Sequence, residues 1–127
     1  MDKILAEISA GELIDKITIL EIKQEKISNK EKLSQVNKEL SSLNETLKKY
    51  INDFNKINVF KNDLKKVNLK LWDIEDGKRL AEKNKKFDDE FIKLARNVYK
   101  FNDERAKIKL ALNDALGSNI KEVKSYE

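Results

Sequence analysis

The apolar residues of this chain recur at helical spacing along most of its length, and the stretch 9–27 carries them on more than one side. With successive residues about 100° apart around a helix, Leu13 lies on one side while Ile14 and Ile19 lie on others. A helix that is apolar around most of its circumference is expected inside a bundle, with neighbours on several sides. The same helix also carries charged side chains, among them Glu12, Asp15, Lys16 and Lys23. These side chains must either point out through gaps between neighbouring helices or pair inside the bundle.

Local signals set the start of this first helix. Ser9 followed by Glu12 forms a capping box, and a polar Ser28–Asn29 pair follows the apolar stretch. We therefore predict a helix over about residues 10–28. In residues 1–8, Ile4, Ala6 and Ile8 recur at every second position, which is compatible with a short strand or an extended lead-in.

Two further helices follow from apolar residues spaced alternately by three and four. The second helix carries a heptad seam of Leu33, Val36, Leu40, Leu43, Leu47, Tyr50, Phe54 and Ile57. The polar stretch 55–58 is its predicted tip, where the chain turns back. The third helix carries Phe60, Leu64, Val67, Leu71 and Ile74. Gly77 lies inside this helix and indicates either a bend or a close approach of another group.

The fourth helix is predicted to begin near Asp88, because acidic residues at 88–90 suit the positive end of the helix dipole. Gly117 fits the position just after its C-terminus. Arg105 falls on the apolar seam of this helix. The tail after Gly117 contains Ile120, Val123 and Tyr126, whose spacing predicts that it packs back on the bundle.

These elements predict an all-α fold in one domain, 1–127. The chain has no proline and three glycines, so little interrupts long helices. We expect an antiparallel four-helix bundle with helix one at its centre. Residues 29–63 would form a long, coiled-coil-like hairpin arm.

Composition excludes several kinds of chemistry. The chain has no histidine and no cysteine, so zinc fingers, thiol nucleophiles and imidazole bases are excluded, and a cytoplasmic location is favoured. No apolar run reaches membrane-spanning length. The net charge is +4, and residues 30–70 are rich in lysine but contain no arginine, which argues against a nucleic-acid interface. No motif indicates a cofactor or a metal site.

The three arginines stand out against 24 lysines. Where any cation would serve, this chain uses lysine, so Arg79, Arg96 and Arg105 are expected where a planar guanidinium is needed. A seam position would partly bury Arg105, which then requires a carboxylate or an anionic ligand. We predict a carboxylate partner on helix three, Glu75 or Asp76; the other candidates are Glu12, Asp15 and Asp103. A structural ion-pair network and a ligand site both stay open.

Polar residues at helical spacing form one face on each of three helices. They are Glu12, Lys16, Ile19 and Lys23 on helix one, Asn68, Trp72, Glu75, Arg79 and Glu82 on helix three, and Tyr99, Asn102, Ala106, Lys109 and Asn113 on helix four. The three faces can converge on one pocket between helices, or all face solvent.

Four blocks of the chain resemble a small bacterial and phage family of unknown function. The blocks are GELIDKITILEIK (11–23), LWDIED with Arg79 close behind (71–79), LARNVYKFNDERAKIK (94–109) and KSY (124–126). The resemblance implies no established activity and no catalytic residues. It marks these residues, which we take as candidate ligand-binding positions: Lys16, Lys23, Trp72, Glu75, Asp76, Arg79, Arg96, Tyr99, Asn102, Asp103, Arg105 and Lys109.

Two families of helical enzymes share some of these features. Chorismate mutases bind a dicarboxylate between helices with arginine and lysine, but helix one here has no arginine. Nucleotide pyrophosphohydrolases hold Mg²⁺ with acidic pairs, and Glu12 with Asp15 resembles one such pair; no partner block is present. We therefore expect a non-catalytic binding or assembly module that forms a dimer. The alternative is a small enzyme or ligand-binding protein acting on an anionic metabolite.

Overall fold

The computed structural model describes residues 1–125, which form four helices joined by short connections. The helices are α1 (Ala10–Lys26), α2 (Lys30–Tyr50), α3 (Phe54–Asn84) and α4 (Asp89–Leu116). No strand occurs within residues 1–125. The all-α prediction is confirmed, whereas the antiparallel order of the helices stays a prediction.

The four helices begin at side-chain caps that the sequence encodes. In each case a polar side chain accepts a hydrogen bond from the backbone N–H three residues ahead, which satisfies one of the unpaired donors of the first turn. The caps are Ser9, Asn29, Asp53 and Asp88. At the other end, α4 stops at Gly117 with φ 64°, a left-handed conformation that glycine adopts without strain. The predicted ends at Ser9, Asp88 and Gly117 are confirmed.

The predicted turn at 55–58 is wrong. Helix α2 ends at Tyr50, and α3 begins at Phe54 after only three residues. Ile57, placed by the seam on helix two, lies in α3 and is buried. The three-four spacing continues across the break, so the apolar pattern alone does not reveal it. Asp53, which caps α3 by accepting from the Lys56 N–H at 3.1 Å, is the signal that does.

Helix α1 lies at the centre of the structure. It runs alongside each of the other three helices, whereas α2 runs alongside α1 alone and α3 runs along α4. Ile14 and Ile17 are fully buried, and Val36 and Leu40 of α2 join them in the core. Helix one therefore has neighbours on several sides, as its apolar circumference predicts.

The two ends of the chain match expectation only in part. Residues 1–8 lie outside any helix or strand and are exposed, so of the two alternatives the short strand is wrong and a lead-in to α1 remains. The tail does return to α4, but Val123 is 87% exposed, and the contacts that hold the tail are polar. Glu122 pairs with Lys109 at 3.2 Å, and Lys121 pairs with Asp114 at 2.6 Å. Tyr126, also predicted to pack on the bundle, lies outside the described residues.

Gly77 does not interrupt α3, which runs continuously through it. A Cβ atom at this position would lie 3.1 Å from the Leu94 side chain of α4. The glycine therefore marks a close approach between α3 and α4 and not the end of a helix.

Candidate functional site

A buried carboxylate on α1 organises the polar centre of the protein. Asp15 has no exposed surface, yet both of its oxygens are satisfied. Arg105 of α4 donates from Nε to Oδ1 at 3.0 Å and from Nη2 to Oδ2, while Asn68 of α3 donates from Nδ2 to Oδ1 at 2.9 Å. The same Asn68 amide donates to Thr18 Oγ1 at 2.9 Å. Helices α1, α3 and α4 thus meet at the ion pair between Asp15 and Arg105. Because this pairing satisfies the buried carboxylate, α1 can carry Asp15 although it is apolar around most of its circumference.

The partner predicted for Arg105 is therefore wrong. Glu75 and Asp76 are exposed on α3, and Glu75 pairs with Lys78 at 3.3 Å. Helix α1 brings Asp15 to Arg105 with a side-on, two-bond geometry that suits guanidinium and carboxylate. This hydrogen bond, with the nearby charge of Asp15, raises the pKa of Arg105 despite its partial burial.

Lys109 lies one turn further along α4 and extends the network. Its Nζ lies 2.7 Å from Glu12 Oε2, 3.2 Å from Glu122 Oε2 and 3.9 Å from Asp15 Oδ2. Burial pulls the pKa of Lys109 down, but the hydrogen bond to Glu12 and the charges of the surrounding carboxylates outweigh it, so the pKa is raised. Lys109 is consequently a charged, fixed side chain that joins α1, α4 and the tail.

The N-terminus of α1 is closed by side chains from α4 and the tail. The Gly11 N–H donates to Asn113 Oδ1 at 2.6 Å, and the Ala10 N–H donates to Ser118 Oγ at 3.0 Å. Gly11 is required here, because a Cβ atom would lie 2.6 Å from the backbone oxygen of Lys109. The first backbone donors of α1 are therefore used within the protein.

An open cleft of about 490 Å³ lies beside the Asp15–Arg105 pair, between α1, α3 and α4, and we call it the central cleft. Its lining residues are Ile19, Ile22, Asn68, Leu71, Trp72, Glu75, Asp76, Arg79, Val98, Asn102 and Arg105. Six of the twelve candidate positions are among them: Trp72, Glu75, Asp76, Arg79, Asn102 and Arg105. Four of the five residues of the α3 polar face line this cleft, whereas the α4 face contributes Asn102 alone and the α1 face Ile19 alone.

The remaining candidate positions lie elsewhere. Lys16 is exposed and pairs with Glu12 at 3.8 Å, and Lys23 does not line the cleft. Arg96 and Tyr99 are exposed on α4. At about 100° per residue, Arg96 lies about 180° around α4 from Arg105 and so faces away from the cleft.

Asp103 and Lys109, the last two candidate positions, belong to the region under the tail. Both line a cavity between α4 and residues 121–124. They are therefore close to Arg105 along the chain but separate from the central cleft.

Several residues of the site were not among the candidate positions. Asp15, Asn68 and Asn113 are buried polar side chains with specific partners. The available signal was their position on faces that are otherwise apolar or that carry candidate residues, since a polar side chain there requires a partner. Which helix supplies the partner depends on how the helices pack, and the spacing along one helix does not show this.

The geometry determines what the central cleft can do chemically. Of the five guanidinium N–H groups, two on one edge of Arg105 bind Asp15. On the other edge, Nη1 makes only a long contact of 3.5 Å with Asn102 Oδ1. Arg105 is thus held rigidly while retaining donors at the cleft. Arg79 adds a second guanidinium to the cleft wall, and Trp72 adds a flat apolar surface.

The acidic pair on α1 is not arranged as a metal site. Asp15 already accepts hydrogen bonds from Arg105 and Asn68, and Glu12 from Lys109. Within residues 1–125 no group of three or more acidic side chains is placed to hold a metal ion. This geometry does not support the resemblance to Mg²⁺-dependent pyrophosphohydrolases.

These features define an all-helical protein built around a buried carboxylate–guanidinium pair, with an open cleft beside it. The chain belongs to a family of unknown function, DUF6165, whose model matches residues 4–127. Searches of curated proteins and of solved structures returned no match. No helix within the described residues is both long and apolar enough to cross a membrane. The expected bacterial or phage origin stays a prediction.

Proposed function

We propose that this protein is a non-catalytic ligand-binding module whose binding site is the central cleft. The ligand is a small molecule with one anionic group and one flat, apolar part. The observation that carries the proposal is the geometry of Arg105: one edge is fixed on buried Asp15 and the other retains donors at the cleft.

The anionic group is inferred from the two guanidinium groups of the cleft. Because Asp15 already holds Arg105 in place, an incoming anion does not have to order that side chain, which lowers the entropy lost on binding. Arg79 has no salt-bridge partner among the described residues and lines the same cleft. Hydrogen bonds between guanidinium and an oxyanion contribute about 1.5–3 kcal/mol each, which is enough to orient a small ligand.

The apolar part is inferred from the apolar side chains that line the same cleft. Trp72, Leu71 and Ile19 line the cleft and remain partly accessible. Ligand pockets combine such apolar walls with a few placed polar groups. Glu75 and Asp76 line the same cleft, so a ligand that carries more than one anionic group would be disfavoured.

Phenyl phosphate is a suitable probe, because it combines one ring with one phosphate. Trp72 is the only tryptophan, so intrinsic fluorescence reports directly on the cleft. We expect saturable quenching by phenyl phosphate at lower concentration than by phenol or inorganic phosphate. Arg79→Gln should weaken binding roughly tenfold, since a tenfold change corresponds to about 1.4 kcal/mol.

The matched control is Arg96→Gln, which removes the same charge from an exposed position that does not line the cleft. It should leave the affinity unchanged. Equal weakening by both variants would indicate a general charge effect and contradict the proposed site. Absence of saturable quenching by any of the three probes would also contradict it.

We also propose that the chain self-associates as a dimer, on the strength of its exposed apolar side chains. Large apolar residues are exposed on α2, α3, α4 and the connection between α3 and α4: Tyr50, Phe54, Val59, Leu80, Phe87, Ile92, Tyr99 and Leu110. Light scattering of the protein at roughly tens of micromolar should give a mass near twice 14.8 kDa. A mass of 14.8 kDa throughout would contradict it.

The proposed setting of the protein is the cytoplasm, on the basis of its lack of cysteine.

A further inference from the structure

A second, smaller cavity borders Arg105, and its charged lining residues are all cations. It has a volume of about 310 Å³ and is lined by Asn102, Arg105, Ala106, Lys109 and Lys124. It shares Asn102 and Arg105 with the central cleft, but its outer wall is the tail. Three of its five lining side chains are cations and none is a carboxylate. We call it the tail cavity.

The chain places one of its own carboxylates against two of these cations, Lys109 and Lys124. Glu122 Oε2 accepts from Lys109 Nζ at 3.2 Å, and Glu122 Oε1 accepts from Lys124 Nζ at 2.8 Å. The pKa of Glu122 is lowered by the hydrogen bond to Lys124, and further by Lys109. Within the described part of the tail, residues 118–125, Glu122 is the only acidic residue.

We propose that Lys109 and Lys124, beside Arg105, form a binding site for a phosphate-type oxyanion, and that Glu122 occupies this site as an internal stand-in until an external anion displaces it. The proposal does not depend on a ligand in the central cleft, because Lys109 and Lys124, the two lysines that would bind the anion, do not line that cleft.

One half of this site is rigid. Lys109 is buried, and its bond to Glu12 at 2.7 Å remains when Glu122 leaves. The site therefore persists without the tail carboxylate, and Lys109 would then retain an unused donor. A buried lysine in that state favours an anion from solution.

The other half is able to move. The side chain of Glu122 is 49% exposed, so a released carboxylate can be hydrated at little loss of free energy. The tail remains attached upstream, where Ser118 Oγ accepts from the Ala10 N–H at 3.0 Å and donates to the Ile120 carbonyl at 2.8 Å. Glu122 therefore competes with external anions as a tethered group. The more of the time Glu122 occupies the site, the weaker the apparent affinity for an external anion becomes.

The test is a titration of the full chain with inorganic phosphate, followed by NMR of backbone amides. The expected response is a saturable shift of the amides of residues 119–125 and of Lys109. Glu122→Gln removes the competing charge and should bind phosphate about three- to tenfold more tightly. Asp114→Asn is its matched control, because it makes the same charge change and also breaks a tail ion pair, the one with Lys121.

The lysines provide a second matched pair. Lys124→Gln removes a cation that lines the tail cavity, and it should weaken phosphate binding about tenfold. Lys121→Gln removes a cation from the same tail that does not line this cavity, and it should have little effect. These comparisons keep the total charge constant within each pair.

Three results would overturn the proposal. One is an equal gain in affinity in Glu122→Gln and Asp114→Asn. Another is a lower melting temperature for Glu122→Gln with unchanged phosphate affinity, which would make the Glu122 contacts purely structural. A third is a phosphate response confined to the Trp72 indole and sensitive to Arg79→Gln, which would place binding in the central cleft. Failure of the central cleft to bind phenyl phosphate would leave the tail-cavity result unaffected.

Discussion

Replacing Arg105 with alanine removes the only guanidinium that touches the buried Asp15. The carboxylate then keeps one hydrogen bond from Asn68, and its nearest cation is Lys109 at 3.9 Å. Breaking a buried ion pair by removing one partner typically costs about 3–5 kcal/mol. Because the Arg105 side chain is 28% exposed, we expect the lower end of this range, about 3 kcal/mol.

This loss translates into a measurable change in thermal stability. The unfolding entropy is roughly 2.1 cal/mol/K per residue, or about 0.27 kcal/mol/K for a chain of this length, so about 3 kcal/mol corresponds to a decrease of about 11 °C in Tm. Circular dichroism at the helical minimum, with heating and with urea, measures both quantities. Arg105→Lys should recover only part of the loss, because lysine lacks the second parallel hydrogen bond.

The two partners of the pair should not be equivalent. Asp15→Asn leaves Arg105 without its carboxylate, but water reaches the guanidinium, so we expect a loss of about 1–2 kcal/mol. Arg96→Ala, at an exposed position, should change stability by less than about 0.5 kcal/mol. The reasoning is refuted if Arg105→Ala is thermally neutral or if Asp15→Asn is the more destabilising change.

Further predictions concern the contacts around the N-terminus of α1. Gly11→Ala should destabilise the protein by about 2 kcal/mol, because its Cβ would lie 2.6 Å from a backbone oxygen. Gly77→Ala should change stability by less than about 1 kcal/mol, because its Cβ meets only the movable end of a leucine side chain. Equal urea midpoints for the two variants would contradict this. Asn113→Ala should cost about 1–2 kcal/mol in urea unfolding, since it leaves the Gly11 N–H unpaired. Because the pKa of Lys109 is raised above its ordinary value of 10.5 in the folded protein, its charge stabilises the folded state below pH 10.5. This stabilisation is lost as the pH rises through the higher folded-state pKa. In Lys109→Met, the free energy of unfolding should therefore fall less steeply across that alkaline range than in the wild type. An equally steep fall would refute the raised pKa of Lys109.

Much of the fold follows from local signals. The caps at Ser9 and Asp88 and the glycine at 117 act within a few residues of themselves, so the sequence shows where α1 and α4 begin and where α4 ends. The central position of α1 follows from its apolar circumference. The α2–α3 boundary was missed because apolar spacing continues from Tyr50 to Phe54 across the break.

The site was predictable only in part. The rarity of arginine among many lysines predicts that the three arginines of α3 and α4 lie where a guanidinium is needed, and two of the three do line the central cleft. The partner of Arg105 could not be chosen from spacing, because Asp15, Glu75 and Asp76 all lie on helices able to face α4. Packing makes the choice, since α1 places Asp15 where no water reaches it and the pairing is therefore obligatory.

The most direct test of the proposed binding site is a titration with phenyl phosphate followed in a single ¹H–¹⁵N NMR spectrum. The Trp72 indole N–H and the Arg105 Nε–H are side-chain signals of such a spectrum, and they report on the apolar and the anionic parts of the cleft. If the central cleft binds the probe as proposed, both signals shift saturably with the same Kd, and both responses weaken together in Arg79→Gln but not in Arg96→Gln. If neither signal moves while amides elsewhere respond, the central cleft is not the binding site.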